Sequence, residues 1–195
     1  WVCLGEPVMT NTRKLATIAI LSALSFLLMF FDFPILPGTD FLKLEFSILP
    51  ILLGLVMLDL SGAFYILLLR SLLKLVLNNQ GVNTYIGLPM NIVAFAVFVL
   101  AIAFVWQKKR NIRNYLLASG LATLSMTLVM IILNYIYAVP LYAKFANFNI
   151  SKNIGLVNYL LAIVTPFNIL QGLAFSLAFW LLYSCLKPIL KKYEK

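Results

Sequence analysis

The sequence contains no histidine and only six acidic residues among 195. Without histidine, the commonest general base and the commonest metal ligand are both missing. Charged residues of both signs make up 11%, whereas a soluble domain carries about a quarter. The two cysteines, Cys3 and Cys185, stand far apart, and Cys185 lies in an apolar run. Neither a disulfide framework nor a metal site is expected. There is no GxxxxGK[ST] segment, so the chain does not hydrolyse ATP by itself. No Ser–His pair or acidic cluster offers hydrolytic chemistry, and the buried carboxylates that proton-coupled carriers need are scarce. No clear inverted repeat marks a self-powered carrier. These absences argue against an enzyme and leave binding as the expected activity.

What the chain has in quantity is apolar surface: 63% of its residues are hydrophobic. Residues 1–8 carry no pattern and are read as an added tail, with residues 9–195 forming a single transmembrane domain. Apolar runs cover roughly 13–31, 46–60, 61–77, 84–106, 115–139 and 157–186, against the roughly 20 residues needed to cross a bilayer. The second and third runs are short. Asp59 followed by Ser61-Gly62 is turn chemistry and separates them into two helices. Pro50 is expected to disturb the second run and leave a carbonyl for neighbours to satisfy. The fold class expected is an all-α membrane protein, a six-transmembrane-helix bundle.

Net charge is +9, but the basic residues sit between apolar runs, which speaks for loops beside a membrane and against nucleic acid. With six spans, one side holds Arg13, Lys14, Lys108, Lys109, Arg110, Arg113, Lys187, Lys191, Lys192 and Lys195. The other holds Lys43, Lys144 and Lys152. The positive-inside rule then puts both termini in the cytoplasm of a multi-pass protein. Two outer connections, roughly Asp32 to Glu45 and Pro140 to Leu156, are longer than a simple link requires.

Polar side chains inside the spans are few. Asn91, Asn134, Thr165, Asn168 and Gln171 lie toward the outer half of three helices, with little polar below them. Amides in lipid serve either as helix-to-helix glue or as ligand contacts; three at similar depth favour a site opening outward. Arg70, deep in the third run, needs a partner, and the candidates are Glu45 or carbonyls freed by Pro50. Ala19 and Ala23, with Ala16 one turn earlier, form a small-residue stripe suited either to packing inside the bundle or to docking another membrane subunit.

The segments Phe41-Leu42-Lys43-Leu44-Glu45-Phe46-Ser47 with Pro50, Lys74 with Asn78, and Gly87-Leu88-Pro89-Met90-Asn91, together with Ala19-xxx-Ala23, carry a resemblance. From about Arg13 to Lys192 the chain resembles the riboflavin-specific substrate-binding (S) components of bacterial energy-coupling factor (ECF) transporters. The resemblance implies a six-helix bundle in the bacterial cytoplasmic membrane that binds riboflavin near its outer face. It implies partnership with a transmembrane scaffold (T) subunit and two cytoplasmic ATPases, with Ala16, Ala19 and Ala23 meeting the scaffold. Riboflavin is then transported ligand rather than cofactor, and acceptance of FMN stays open. Riboflavin is neutral, with an edge of alternating acceptors and donors that a carboxamide complements. The expected site has Asn134 and Asn168 on that edge, supported by Thr165 and Gln171. Phe41, Leu42, Lys43 and Leu44 cover the ligand beside Glu45, and Asn83, Met90 and Asn91 line the ribityl side. The alternatives are an S component for another vitamin, such as thiamine or biotin, or a structural membrane protein without a ligand.

Overall fold

The computed structural model describes residues 11–35, 42–107, 109–145, 150 and 155–190. The segment read as a tail, residues 1–8, therefore lies outside the described residues, as does Phe41. The described elements are α1 (Asn11–Leu28), β1 (Phe33–Pro34), β2 (Lys43–Leu44), α2 (Ile48–Met57), α3 (Leu60–Leu77), α4 (Val82–Trp106), α5 (Ile112–Phe145) and α6 (Leu156–Leu190). Helices α3 to α6 are long and apolar enough to cross a membrane; α2 is apolar but only ten residues long. The chain is a multi-pass helical membrane protein. Among the described residues a short antiparallel ladder, β1 on β2, pairs Phe33 with Leu44 and Pro34 with Lys43.

The α2–α3 break falls where the turn residues predict it. Asp59 is the N-cap of α3, and its side chain accepts from the Gly62 N–H at 2.5 Å. Pro50, by contrast, disturbs nothing. Helix α2 begins at Ile48, so Pro50 sits in the first turn, where an N–H has no intrahelical partner in any case. The expectation of a freed carbonyl is corrected accordingly.

The fifth and sixth helices run further than expected. Helix α5 continues past residue 139 through a π-helical stretch, Asn134–Ala138, into Val139–Phe145, so Pro140 lies within the helix and not at the start of a loop. Helix α6 has a similar stretch, Tyr159–Val164, with Pro166 two residues beyond it. A proline in a helix removes one N–H and crowds the carbonyl one turn back; a widened turn just ahead of it relieves both.

Contacts at the helix ends define two faces. Lys14 pairs with Asp59 at 2.7 Å, Gln107 Nε2 donates to the Leu55 carbonyl at 3.2 Å, and Trp106 stacks edge-on to Tyr183 at 4.9 Å. The start of α1, the α2–α3 turn and the far ends of α4 and α6 thus meet at one end. An aromatic cluster of Trp106, Tyr115, Phe179, Trp180 and Tyr183 fills it. At the opposite end, Tyr137 donates to the Tyr85 carbonyl and Lys43 pairs with Asp32. Between them, α5 and α6 approach closely at Gly172, where a Cβ would lie 2.6 Å from Thr123 Oγ1.

Candidate functional site

The end that carries the β-ladder is hollow. Two chambers open there and share Lys43, Gly87, Asn91 and Tyr142, so they form one cleft. The larger, about 350 Å³, is polar and is walled by Asp32, Glu45, Lys74, Gln80, Asn83 and Thr84 among others. The smaller, about 150 Å³, is mostly apolar, with Leu42, Met90, Phe95, Met130 and Phe167 around Asn134 and Gln171. Together they fall within the roughly 300–1,000 Å³ usual for small-molecule sites, with the usual mix of apolar wall and few placed polar groups.

Local structure explains why these groups face inward. Asn91 lies on α4 about nine residues from Val82, Asn134 on α5 about eleven from Phe145, and Asn168 on α6 about twelve from Leu156. At about 1.5 Å per residue their depths agree to within a turn. The two π-helical stretches face each other across the smaller chamber. Tyr159 donates its hydroxyl to Asn134 Oδ1 at 2.7 Å, while Asn134 Nδ2 donates to the Met130 carbonyl at 2.8 Å. That arrangement leaves Asn134 one N–H and one lone pair for a ligand.

Beneath the polar chamber lies an ionic network. Arg70, fully buried on α3, pairs with Glu45 at 3.2 Å; Nη1 also donates to Ser47 Oγ at 2.6 Å and Nη2 donates to Asn91 Oδ1. Ser47 Oγ and Asn91 Nδ2 each donate to Glu45 Oε1 at 3.1 Å. The guanidinium lies 4.7 Å from the centre of the Phe95 ring. Of the two partners expected for Arg70, the structure gives Glu45. The pair cancels in charge, which is how a buried cation is tolerated in lipid.

The expected site residues divide into three groups. Leu42, Lys43, Glu45, Asn83, Met90, Asn91, Asn134 and Gln171 are brought together around the cleft. Leu44, Thr165 and Asn168 do not line it. Leu44 points into the main core, and Thr165 bonds its own helix at the Leu160 carbonyl. Asn168 is fully buried with Nδ2 on the Val164 carbonyl, and its Oδ1 has no partner among the described residues. Phe41 lies outside the described residues. The alanines Ala16, Ala19 and Ala23 are all exposed, on the face of α1 opposite its buried Ile18, Leu21, Ser22 and Ser25, so they do not pack inside the bundle. Sequence reasoning missed Asp32, Gln80, Thr84, Tyr142 and Tyr159. The tyrosines carried a usable signal, since each lies near a proline within a membrane helix.

Known proteins resemble this chain in sequence and in fold. The riboflavin transporter RibU of Streptococcus thermophilus is 60% identical over 184 residues, spanning 94% of this chain and 87% of that protein. The riboflavin transporter RibU of Leuconostoc mesenteroides is 40% identical over 195 residues, with 95% and 96% covered. A solved structure of the S component of a bacterial ECF transporter superposes with a TM-score of 0.77 at 31% identity, covering 93% of this chain and 99% of that one. Residues 13–183 match the family model for the substrate-specific component of ECF transporters, and the chain belongs to that family.

Proposed function

We propose that the protein is the riboflavin-binding subunit of an ECF-type uptake transporter, taking the vitamin from outside and delivering it inward with an ATP-driven module. The observation that carries this reading is the two-part cleft: an apolar chamber edged with carboxamides, continuous with a chamber rich in hydroxyl-binding groups. The isoalloxazine ring fits the first by burial of its dimethylbenzene end against Leu42, Met130 and Phe167, with its pyrimidine edge on Asn134 and Gln171. Asn168 stands one turn from Gln171, buried behind the chamber wall with an oxygen that has no partner among the described residues. The ribityl chain takes the polar chamber, among Lys43, Glu45, Asn83 and Asn91.

Six crossings with both termini in the cytoplasm would add α1 and the short α2 to the four helices long enough to span. They would place the basic residues near the aromatic end, such as Lys14, Arg110 and Arg113, on the inner side. In that orientation the cleft opens outward. Ala16, Ala19 and Ala23 offer the scaffold subunit a flat, exposed face on α1. The chain has no nucleotide-binding segment, so the energy must come from the partner ATPases.

Purified protein tests the reading directly. Riboflavin at a hundred times its dissociation constant should stabilise the fold by about 2.7 kcal/mol in thermal unfolding, and bound flavin should colour the preparation yellow. Stabilisation by thiamine or biotin but not by flavin would transfer the chain to another vitamin. No response to any of the three would overturn a binding function.

A further inference from the structure

Arg70 touches the cleft's wall without being part of it. It is 0% exposed and lines neither chamber. One carboxylate would suffice to neutralise it, yet it grips three side chains from outside its own helix, and two of them, Glu45 and Asn91, are wall residues. Arginine can only donate, so the bond to Asn91 fixes that amide with its oxygen inward and its nitrogen toward Glu45. Arg70, Ser47 and Asn91 all converge on Glu45 Oε1. Oε2 receives no hydrogen bond among the described residues, and Asn91 keeps a second N–H uncommitted. The floor therefore presents a carboxylate acceptor beside an amide donor, held in place from below and neutral overall. Vicinal hydroxyls, each both donor and acceptor, complement such a pair.

We propose that Arg70 is a positioning residue that sets recognition of the ligand's polyhydroxylated chain, acting through Glu45 and Asn91 and not by contact. This rests on the riboflavin reading of the cleft, and it predicts a selective effect. Loss of Arg70's fork should weaken binding of the ribityl chain far more than that of the ring, whose carboxamide partners Asn134 and Gln171 lie on α5 and α6 and do not touch Arg70.

The test is fluorescence titration of the full chain in detergent with riboflavin and with lumiflavin, which keeps the ring and replaces the ribityl chain by methyl. Two variants are compared: Arg70→Lys, which keeps the charge without the fork, and Arg70→Met with Glu45→Gln, which removes both charges together. Riboflavin affinity should fall roughly 10–100-fold in each, the worth of one or two buried hydrogen bonds, while lumiflavin affinity changes by less than about threefold. A folded variant that loses both ligands in the same proportion, or neither, overturns the proposal, as does failure of both variants to fold. If the unaltered chain binds both flavins equally, only this inference falls. If it binds neither, the functional reading falls with it.

Discussion

At the scale of single residues, the strength of a contact depends on what surrounds it. Lys14 and Asp59 pair at 2.7 Å, but their side chains are 36% and 47% exposed, and such pairs contribute about 0–1 kcal/mol. Arg70 and Glu45 pair at the longer 3.2 Å with 0% and 8% exposure. Glu45→Ala strands a buried guanidinium and should cost about 3–5 kcal/mol in thermal unfolding, against less than about 1 for Lys14→Ala. Equal effects would mean that water reaches Arg70. Asn134 is anchored at both ends of its amide, so Asn134→Ala should weaken riboflavin roughly 10–100-fold. If Asn134→Ala and Asn168→Ala both titrate like the unaltered chain, the carboxamides leave the site. Individual residues were legible to the extent that their polarity was out of place. Asn91, Asn134 and Arg70 stood out in apolar runs, and all three belong to the cleft or its support. Thr84, Gln80 and Asp32 did not stand out, because polar residues at helix ends and loops are ordinary.

At the scale of elements, the two π-helical stretches decide which side chains meet. Each precedes a proline by two residues, at Pro140 and Pro166, and together they bring Tyr159 onto Asn134. Hydropathy reads them as plain helix or loop; only the prolines, taken as causes of widened turns and not as helix ends, would have revealed them. Pro50 went the other way, because its effect depends on a helix start that apolar content alone does not locate. Close helix contact was equally hidden, since a glycine in a span reads the same whether it faces lipid or a neighbour. Gly172 faces Thr123, and Gly172→Ala should lower the thermal midpoint by the equivalent of about 1–3 kcal/mol, with Thr123→Ala restoring only part of it, because the Cβ of residue 123 would still lie 2.9 Å away. Gly120, with open space around its Cβ position, should accept alanine without loss. If both glycines respond alike, the α5–α6 contact is looser than described.

At the scale of the whole molecule, the chain is asymmetric along its axis. One end is packed with aromatic rings and lined with basic residues, and the other is hollow and polar. Composition made the class plain, and the apolar runs fall within a few residues of the described helices, except where prolines lie inside them. Orientation rests on the distribution of lysine and arginine. In cells carrying Cys3→Ser and Cys185→Ser, a membrane-impermeant maleimide should label Lys144→Cys directly, and Arg113→Cys only after permeabilisation. The opposite pattern would turn the cleft toward the cytoplasm. Helix α1 joins the two sides of this arrangement. Its alanine face looks outward, while Ser25 on its other side donates to the Ser47 carbonyl, and the Ser47 hydroxyl receives Arg70. A partner docked on that alanine face, as proposed, would thus be in mechanical series with the floor of the cleft. Any tilt imposed on α1 from outside tugs on the cradle through two short links.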